Sequence, residues 1–287
     1  MRLRRGLLWA GSVLLTAVVA ASLWGFIFEP ASLRVREYDL ALGKWPHDLD
    51  GLSAAVLADM HVGSPFNGLS KLERIVQQTN QVKPDLILLA GDYVIHGVRG
   101  GRFVPPPDFC PILGKLRARL GVWAVLGNHD WWLDGPAIRA ELEKNGIRVL
   151  ENDAALIDPS MSLWLAGVGD YWEGRPDVRL ALEHVPLDAT VIVLTHNPDV
   201  FPEIPSRVAL SIAGHTHGGQ VRLPLLGRPV VPSKFGERYA AGHIAEPDGE
   251  QGRDFFVSTG LGTSILPVRF GVPPEISLLR LHTRQAR

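Results

Sequence analysis

Cysteine is almost missing from this chain. Cys110 is the single example in 287 residues, so neither an intrachain disulfide framework nor a zinc–thiolate site can form. A lone thiol fits an oxidising compartment. Excess charge of either sign is missing too: 29 Lys and Arg stand against 30 Asp and Glu, a formal net charge of -1. Nothing drives bulk attraction to nucleic acid, and no nucleic-acid partner is expected. A phosphate-bearing substrate stays open, because metal ions can supply positive charge locally. No internal repeat and no second folding unit interrupt the sequence, although its length suffices for a sizeable core.

What is present begins at the N-terminus. Met1-Arg2-Leu3-Arg4-Arg5 is basic, and Gly6 to Phe28 is uncharged and mostly apolar. A run of roughly 23 residues can span a hydrocarbon core of about 30 Å. Val18-Val19-Ala20 offers a signal-peptidase cut, but Leu23 to Phe28 carries the apolar run past it. A cleavable signal has a shorter apolar stretch, so an uncleaved anchor is expected over residues 1–28. Trp24, Phe26 and Phe28 suit an interfacial aromatic belt. Arg2, Arg4 and Arg5 precede the span, whereas Arg34, Arg36 and Lys44 follow it more sparsely. Basic residues favour the inner side, so the rest of the chain is expected outside. Arg4-Arg5 lacks the surroundings of a twin-arginine export signal.

Residues 29–52 read as a linker with an edge strand near Leu33 to Tyr38, and residues 53–287 as the catalytic domain. Buried strands are expected at Ser53 to Ala58, Leu86 to Ala90 and Val122 to Leu126. Leu72, Ile75, Val76 and Thr79 share a helical face, with Ser70-x-x-Glu73 as a capping box. Pro136 and Gly146 frame a second helix. Strands then dominate: Ala154 to Ile157, Leu163 to Val168, Thr190 to Leu194, Val208 to Ala213, Gly219 to Leu223, Phe255 to Ser258 and Ile276 to Leu281. This order predicts an α/β fold with two sheets face to face and helices outside. Gly97 to Pro111 and Pro224 to Gly242 read as long loops, a class that is usually functional or mobile.

Polar clusters follow four of the apolar runs: Asp59-Met60-His61, Gly91-Asp92, Gly127-Asn128-His129-Asp130 and Gly214-His215-Thr216-His217. His196 follows a fifth. At an extended strand end, residues i and i+2 share a face, so Asp59 and His61 can reach one metal, as can His215 and His217. Asp92 has two oxygens with which to bridge two ions, and Asn128 offers a neutral carbonyl. The set suits two divalent ions with nitrogen and oxygen ligands; Mn, Fe, Zn and Mg all qualify. Asn128 could instead be a turn residue, His196 a turn residue before Asn197-Pro198, and Asp130 a helix N-cap. His96, His184 and His243 fall outside the clusters, and His96 reads as a loop residue.

Five motifs in this order resemble the calcineurin-like metallophosphoesterase family, over about residues 53–282. The resemblance implies a two-sheet αββα sandwich. It implies that Asp59, His61 and His217 hold one metal, that Asn128, His196 and His215 hold the other, and that Asp92 bridges them. A hydroxide between the ions would attack phosphorus in line. His129 matches the family's non-ligand histidine, which contacts the scissile phosphate and assists the leaving oxygen, and Asp130 would orient it.

The apolar N-terminus, the stretch Gly214 to Gln220 and the stretch Gly260 to Ser264 resemble a bacterial branch with a membrane anchor. That implies a single-pass protein of the cytoplasmic membrane, its catalytic domain on the outer side. The expected activity is a phosphodiesterase acting on a small-molecule or lipid phosphoester. A pyrophosphatase on a nucleotide-linked lipid precursor of UDP-diacylglucosamine type is the alternative, and a metal-free scaffold the third. Trp131 and Trp132 could form a stacking or lipid-facing wall; core packing is the expectation for both.

Overall fold

Strands that are apolar on both faces must be covered on both faces, and that requirement builds four layers. In the computed structural model, which describes residues 2–249 and 252–284 with side chains from residue 8, the chain forms the αββα sandwich expected from its sequence. The basic side chains at residues 2–5 and the expected domain end at Arg287 lie outside the described residues.

The first sheet contains β1 (Arg34–Leu42), β2 (Leu52–Leu57), β3 (Leu86–Leu89), β4 (Val122–Ala124) and β5 (Arg148–Val149). The second contains β6 (Asp153–Asp158), β7 (Leu163–Gly167), β8 (Thr190–Leu194), β9 (Leu210–Ala213), β10 (Gly242–Glu246) and β11 (Arg253–Val257). The last strand, β12 (Glu275–Thr283), returns to the first sheet between β1 and β2. Pairings from β2 through β5 are parallel, as are those linking β7, β8, β9 and β11. Parallel strands align their carboxyl ends on one edge, where the polar clusters emerge.

Alternate residues of each strand enter different layers. Ala54 and Val56 of β2 and Leu86 and Leu88 of β3 meet Ile192, Leu194 and Ile212 between the sheets. Ala55, Leu57, Ile87 and Leu89 face outward against Leu72, Ile75, Phe109, Ile138 and Leu142. The second sheet is backed by Val178, Ala181, Val200 and Phe201.

The N-terminal helix α1 (Arg2–Leu23) continues through a π-helical turn, Trp24–Phe28, into the short α2 (Glu29–Ala31). Leu8–Ala31 is long and apolar enough to cross a membrane. Trp24, Phe26 and Phe28 are exposed, whereas Gly25, Glu29 and Pro30 are buried against the sandwich.

Four local expectations need correction. The capping box at Ser70 is absent: α3 (Leu69–Gln81) starts one residue earlier, with Gly68 as its N-cap and no side-chain cap. The loop expected over 97–111 contains the start of α4 (Pro106–Leu113), because prolines fit the first helical turn where no N–H is needed. The helix expected from Pro136 begins at Asn128, and α5 (Asn128–Lys144) is interrupted at Asp134 (φ -171°, ψ 83°). Asp134 then accepts a hydrogen bond from the Ala137 N–H, capping the second segment. Gly219 to Leu223 is not a strand. Gly218, Gly219 and Gln220 all take positive φ, which breaks extended pairing and leaves isolated bridges at Val221 and Leu223.

Candidate metal centre

The carboxyl ends of β2, β3, β4, β8 and β9 deliver Asp59, Asp92, Asn128, His196 and His215 to one edge, all buried. The residues do not arrive on extended strand ends. Asp59 (φ 50°), His61 (φ 39°), Asp92 (φ 57°), His215 (φ 67°) and His217 (φ 51°) are left-handed. The extended i, i+2 geometry expected from the spacing is therefore replaced by tight turns back over the sheet edge. Such conformations cost about 1–3 kcal/mol each and persist only where surroundings over-determine them. Here the loops tie each other: the Asp59 N–H donates to Gly91 O at 3.0 Å and the His61 N–H to Asp92 O at 3.0 Å. Gly91 (φ 86°) has no room for a side chain, since a Cβ would lie 2.6 Å from Gly127 N and 2.8 Å from His196 Nδ1.

Three overlapping groups of metal-capable atoms result. Asp59, His61 and His217 form one, Asp92, His196 and His215 another, and His61, Asp92 and His129 a third, each with its atoms within 4.8 Å of one another. His215 and His217, two residues apart, thus divide between the groups. Asp92 Oδ2 lies 3.5 Å from His61 Nε2 and 3.3 Å from His196 Nε2, between them. Asn128 Oδ1 is 3.2 Å from His196 Nε2, and His215 Nδ1 is also 3.2 Å from it. His61 Nε2 and His217 Nε2 approach to 3.1 Å.

These spacings suit cations better than hydrogen bonds. His61 directs Nδ1 to Val94 O at 3.0 Å and His196 directs Nδ1 to Ala90 O at 2.7 Å, which leaves both Nε2 atoms facing inward. Around His196 Nε2 stand three acceptor-type atoms, more than one proton can satisfy. Ligands at about 2.1 Å from a shared ion sit roughly 3.0–3.4 Å apart. Burial pushes His61 and His215 down to about 3 and holds His217 well below the usual imidazole range, which favours neutral rings with lone pairs to offer. Burial also raises the Asp59 carboxyl to about 7. Burial would raise Asp92 as well, but His196, by charge and by hydrogen bond, leads the groups that outweigh it and hold that carboxylate well below the usual range.

His129 lies in the same cluster, grouped with His61 and Asp92. Its Nε2 is 4.0 Å from Asp92 Oδ2, its ring packs edge-on against His61, and its Nδ1 is buried without a partner. Asp130 does not touch that ring. Its carboxylate accepts the N–H groups of Asp92 (2.8 Å), Tyr93 (2.9 Å) and Gly127 (2.9 Å), with Val94 at 3.3 Å. These bonds fasten the Asp92 loop to the start of α5, and among the described residues no hydrogen bond joins Asp130 to the His129 ring.

A family model described as calcineurin-like phosphoesterase matches residues 52–219. The chain belongs to this family. It is 29% identical to the uncharacterized metallophosphoesterase YkuE of Bacillus subtilis (strain 168) over 278 residues, 94% of each chain. It is 36% identical to phosphodiesterase YaeI of Escherichia coli (strain K12), over 78% of this chain and 80% of that one. A Danio rerio transmembrane protein with a metallophosphoesterase domain is 30% identical over 93% of this chain and 61% of its own length.

Several neighbours of the metallophosphoesterase site escaped sequence reasoning. His96, read as a loop residue, lines the cavity, and its ring centroid is 6.2 Å from that of His129. Trp131 and Trp132 part company: Trp131 packs against the core, whereas Trp132 lines the cavity 4.8 Å from His129. Trp172 stands edge-on over His215 at 4.6 Å. It lies in the loop that follows the carboxyl end of β7, five residues past the strand. Arg269 is fully buried and donates to the carbonyls of Gly262, Thr259 and Val272. That loop in turn binds the first ligand turn, with the Gly262 N–H on Asp59 O at 2.7 Å. His184 is exposed, and His243 pairs with Asp254 on the second sheet; neither reaches the site.

Proposed function

We propose that this metallophosphoesterase is a membrane-anchored phosphodiesterase whose site holds two divalent ions. The position of Asp92 Oδ2, within 3.5 Å of His61 Nε2 and 3.3 Å of His196 Nε2, carries the reading. A carboxylate placed between two nitrogen-rich groups is the bridge that a two-ion site needs. Asp59, His61 and His217 would hold one ion, and Asn128, His196 and His215 the other. Bound there, two divalent ions would supply activation of water at neutral pH and neutralisation of charge on a phosphoryl group.

The chain's own residues then divide the work. Asp130 and the paired loops keep Asp92 in place. His129, on the cavity side of Asp92, hydrogen-bonds the phosphoryl group and supports the leaving oxygen. Water adds its oxygen to phosphorus, one ester oxygen departs as an alcohol with a proton, and a monoester remains. Resemblance to a relative named phosphodiesterase at 36% identity supports a diester substrate. Among the described residues the cavity lining contains no lysine or arginine, the usual holders of a second phosphate, which favours a diester over a pyrophosphate.

Residues 8–31 hold the chain in the membrane, and the basic N-terminal flank sets the catalytic unit on the outer face. The catalytic test uses the purified full chain supplied with manganese and bis(nitrophenyl) phosphate. Hydrolysis that Asp92→Ala abolishes is expected; a monoester preferred over every diester would overturn the assignment.

A further inference from the structure

The cavity beside Asp92, Asn128, His215 and His217, about 510 Å³, is also lined by a set of apolar side chains, with Gln220 and Ser264 among them. Val221, Val230, Ile265, Leu266 and Val268 form an apolar wall of this cavity, which Trp132 and Trp172 also line. Much of that wall faces solvent: Ile265 is 73% exposed and Val230 71%. Ile265 is also β-branched at φ 61°, a conformation that costs energy and is held by the Arg99 N–H on Ile265 O at 3.0 Å. Folding alone gives no reason to strain a residue so that its apolar side chain meets water. Exposed apolar patches of this kind mark binding surfaces.

The wall is continuous with the N-terminal helix. Val268 and Phe270 pack on Gly25, and the Arg269 N–H donates to Gly25 O at 2.9 Å. Glu29 accepts the N–H groups of Gly271 at 3.0 Å and Val272 at 2.6 Å. The same segment pairs on its other side with residues 221–222, where the Arg222 N–H meets Phe270 O at 2.7 Å. The adjoining turn carries Leu225 and Leu226, both among the most exposed apolar residues of the chain. One strip of backbone, 264–272, thus joins the apolar helix to the mouth of the metal site.

We propose that the substrate is a phosphodiester carrying a hydrocarbon chain, drawn from the bilayer that holds the N-terminal helix. This rests on the phosphodiesterase reading above. The chain lies along the Val230–Ile265–Leu266 wall and the phosphate reaches the floor at Asp92. Among the described residues the lining has no lysine or arginine, so its apolar wall suits an acyl or alkyl arm and offers no counter-charge to a second phosphate. The hydrolysis is that already described, with the hydrocarbon on one of the two esters.

The test uses the full chain in lipid nanodiscs with nitrophenyl methyl phosphate, nitrophenyl dodecyl phosphate and thymidine nitrophenyl phosphate. Expected is a kcat/KM about tenfold or more higher for dodecyl than for methyl, the effect of burying roughly two methylenes. Partition into the bilayer raises the dodecyl rate for any anchored enzyme, so the decisive number is the dodecyl-to-methyl ratio in Ile265→Ser. That ratio should fall at least about threefold. Should Ile265→Ser lose methyl-ester hydrolysis as well, the ratio in Val230→Ser decides. An unchanged ratio, or preference for the thymidine ester, overturns the lipid assignment while leaving the phosphodiesterase reading intact. Failure to hydrolyse all three esters overturns both.

Discussion

Replacing Asp130 separates two roles for a buried carboxylate next in sequence to His129, the histidine proposed to act on the phosphoryl group. In Asp130→Ala the N–H groups of Asp92, Tyr93 and Gly127 lose their acceptor in a fully buried place. Each stranded donor costs about 1–3 kcal/mol, and the three share one site, so their losses do not simply add. A total of about 3–5 kcal/mol is expected, near the upper end for single substitutions. For a domain of this size that corresponds to a fall in Tm of about 10 °C. The loop released is the one that carries Asp92, so metal affinity should fall with stability, and added manganese should restore part of both. The assay is thermal unfolding of the full chain in detergent with and without manganese, alongside diester hydrolysis. Loss of hydrolysis with an unchanged Tm and unchanged metal affinity would refute the loop-fastening role and return Asp130 to the chemistry of His129.

Other substitutions probe neighbouring parts of the account. Gly127→Ala places a Cβ against Asp92 Oδ1 and should abolish metal binding, whereas Gly68→Ala, with nothing within 4 Å, should change stability by less than about 0.5 kcal/mol in urea unfolding. Arg269→Met removes a fully buried guanidinium from three carbonyls and should cost about 3–5 kcal/mol, with weakened metal binding measured by calorimetry. Trp132→Ala should raise KM for nitrophenyl diesters several-fold with kcat largely kept, because the ring lines the cavity wall and holds no ligand position.

Strand ends were the most legible part of this chain. Apolar runs such as Leu86 to Ala90 are buried on both faces, and a polar residue directly after such a run has to be at a sheet edge. That logic picked out side chains that the fold brings into one buried cluster able to hold a metal ion. Backbone conformation was less legible: a sequence with an i, i+2 spacing does not reveal that both residues are left-handed. Features that depend on distant segments were invisible. Arg269 stands between Val268 and Phe270 like an ordinary strand residue, yet it organises carbonyls from residues 259–272. Likewise Ser70 and Glu73 have the spacing of a capping box, but α3 begins at Leu69, so Ser70 lies inside the helix and caps nothing. Pro105 to Pro107 read as a loop because proline breaks helices in the interior, and it starts one here.

The most direct test is the number of divalent ions bound per chain, measured by elemental analysis of the manganese-supplied full chain and of Asp92→Asn. A bridging Asp92 predicts two ions in the unmodified chain and at most one in the variant, with hydrolysis lost. Two ions retained in Asp92→Asn together with full activity would contradict it.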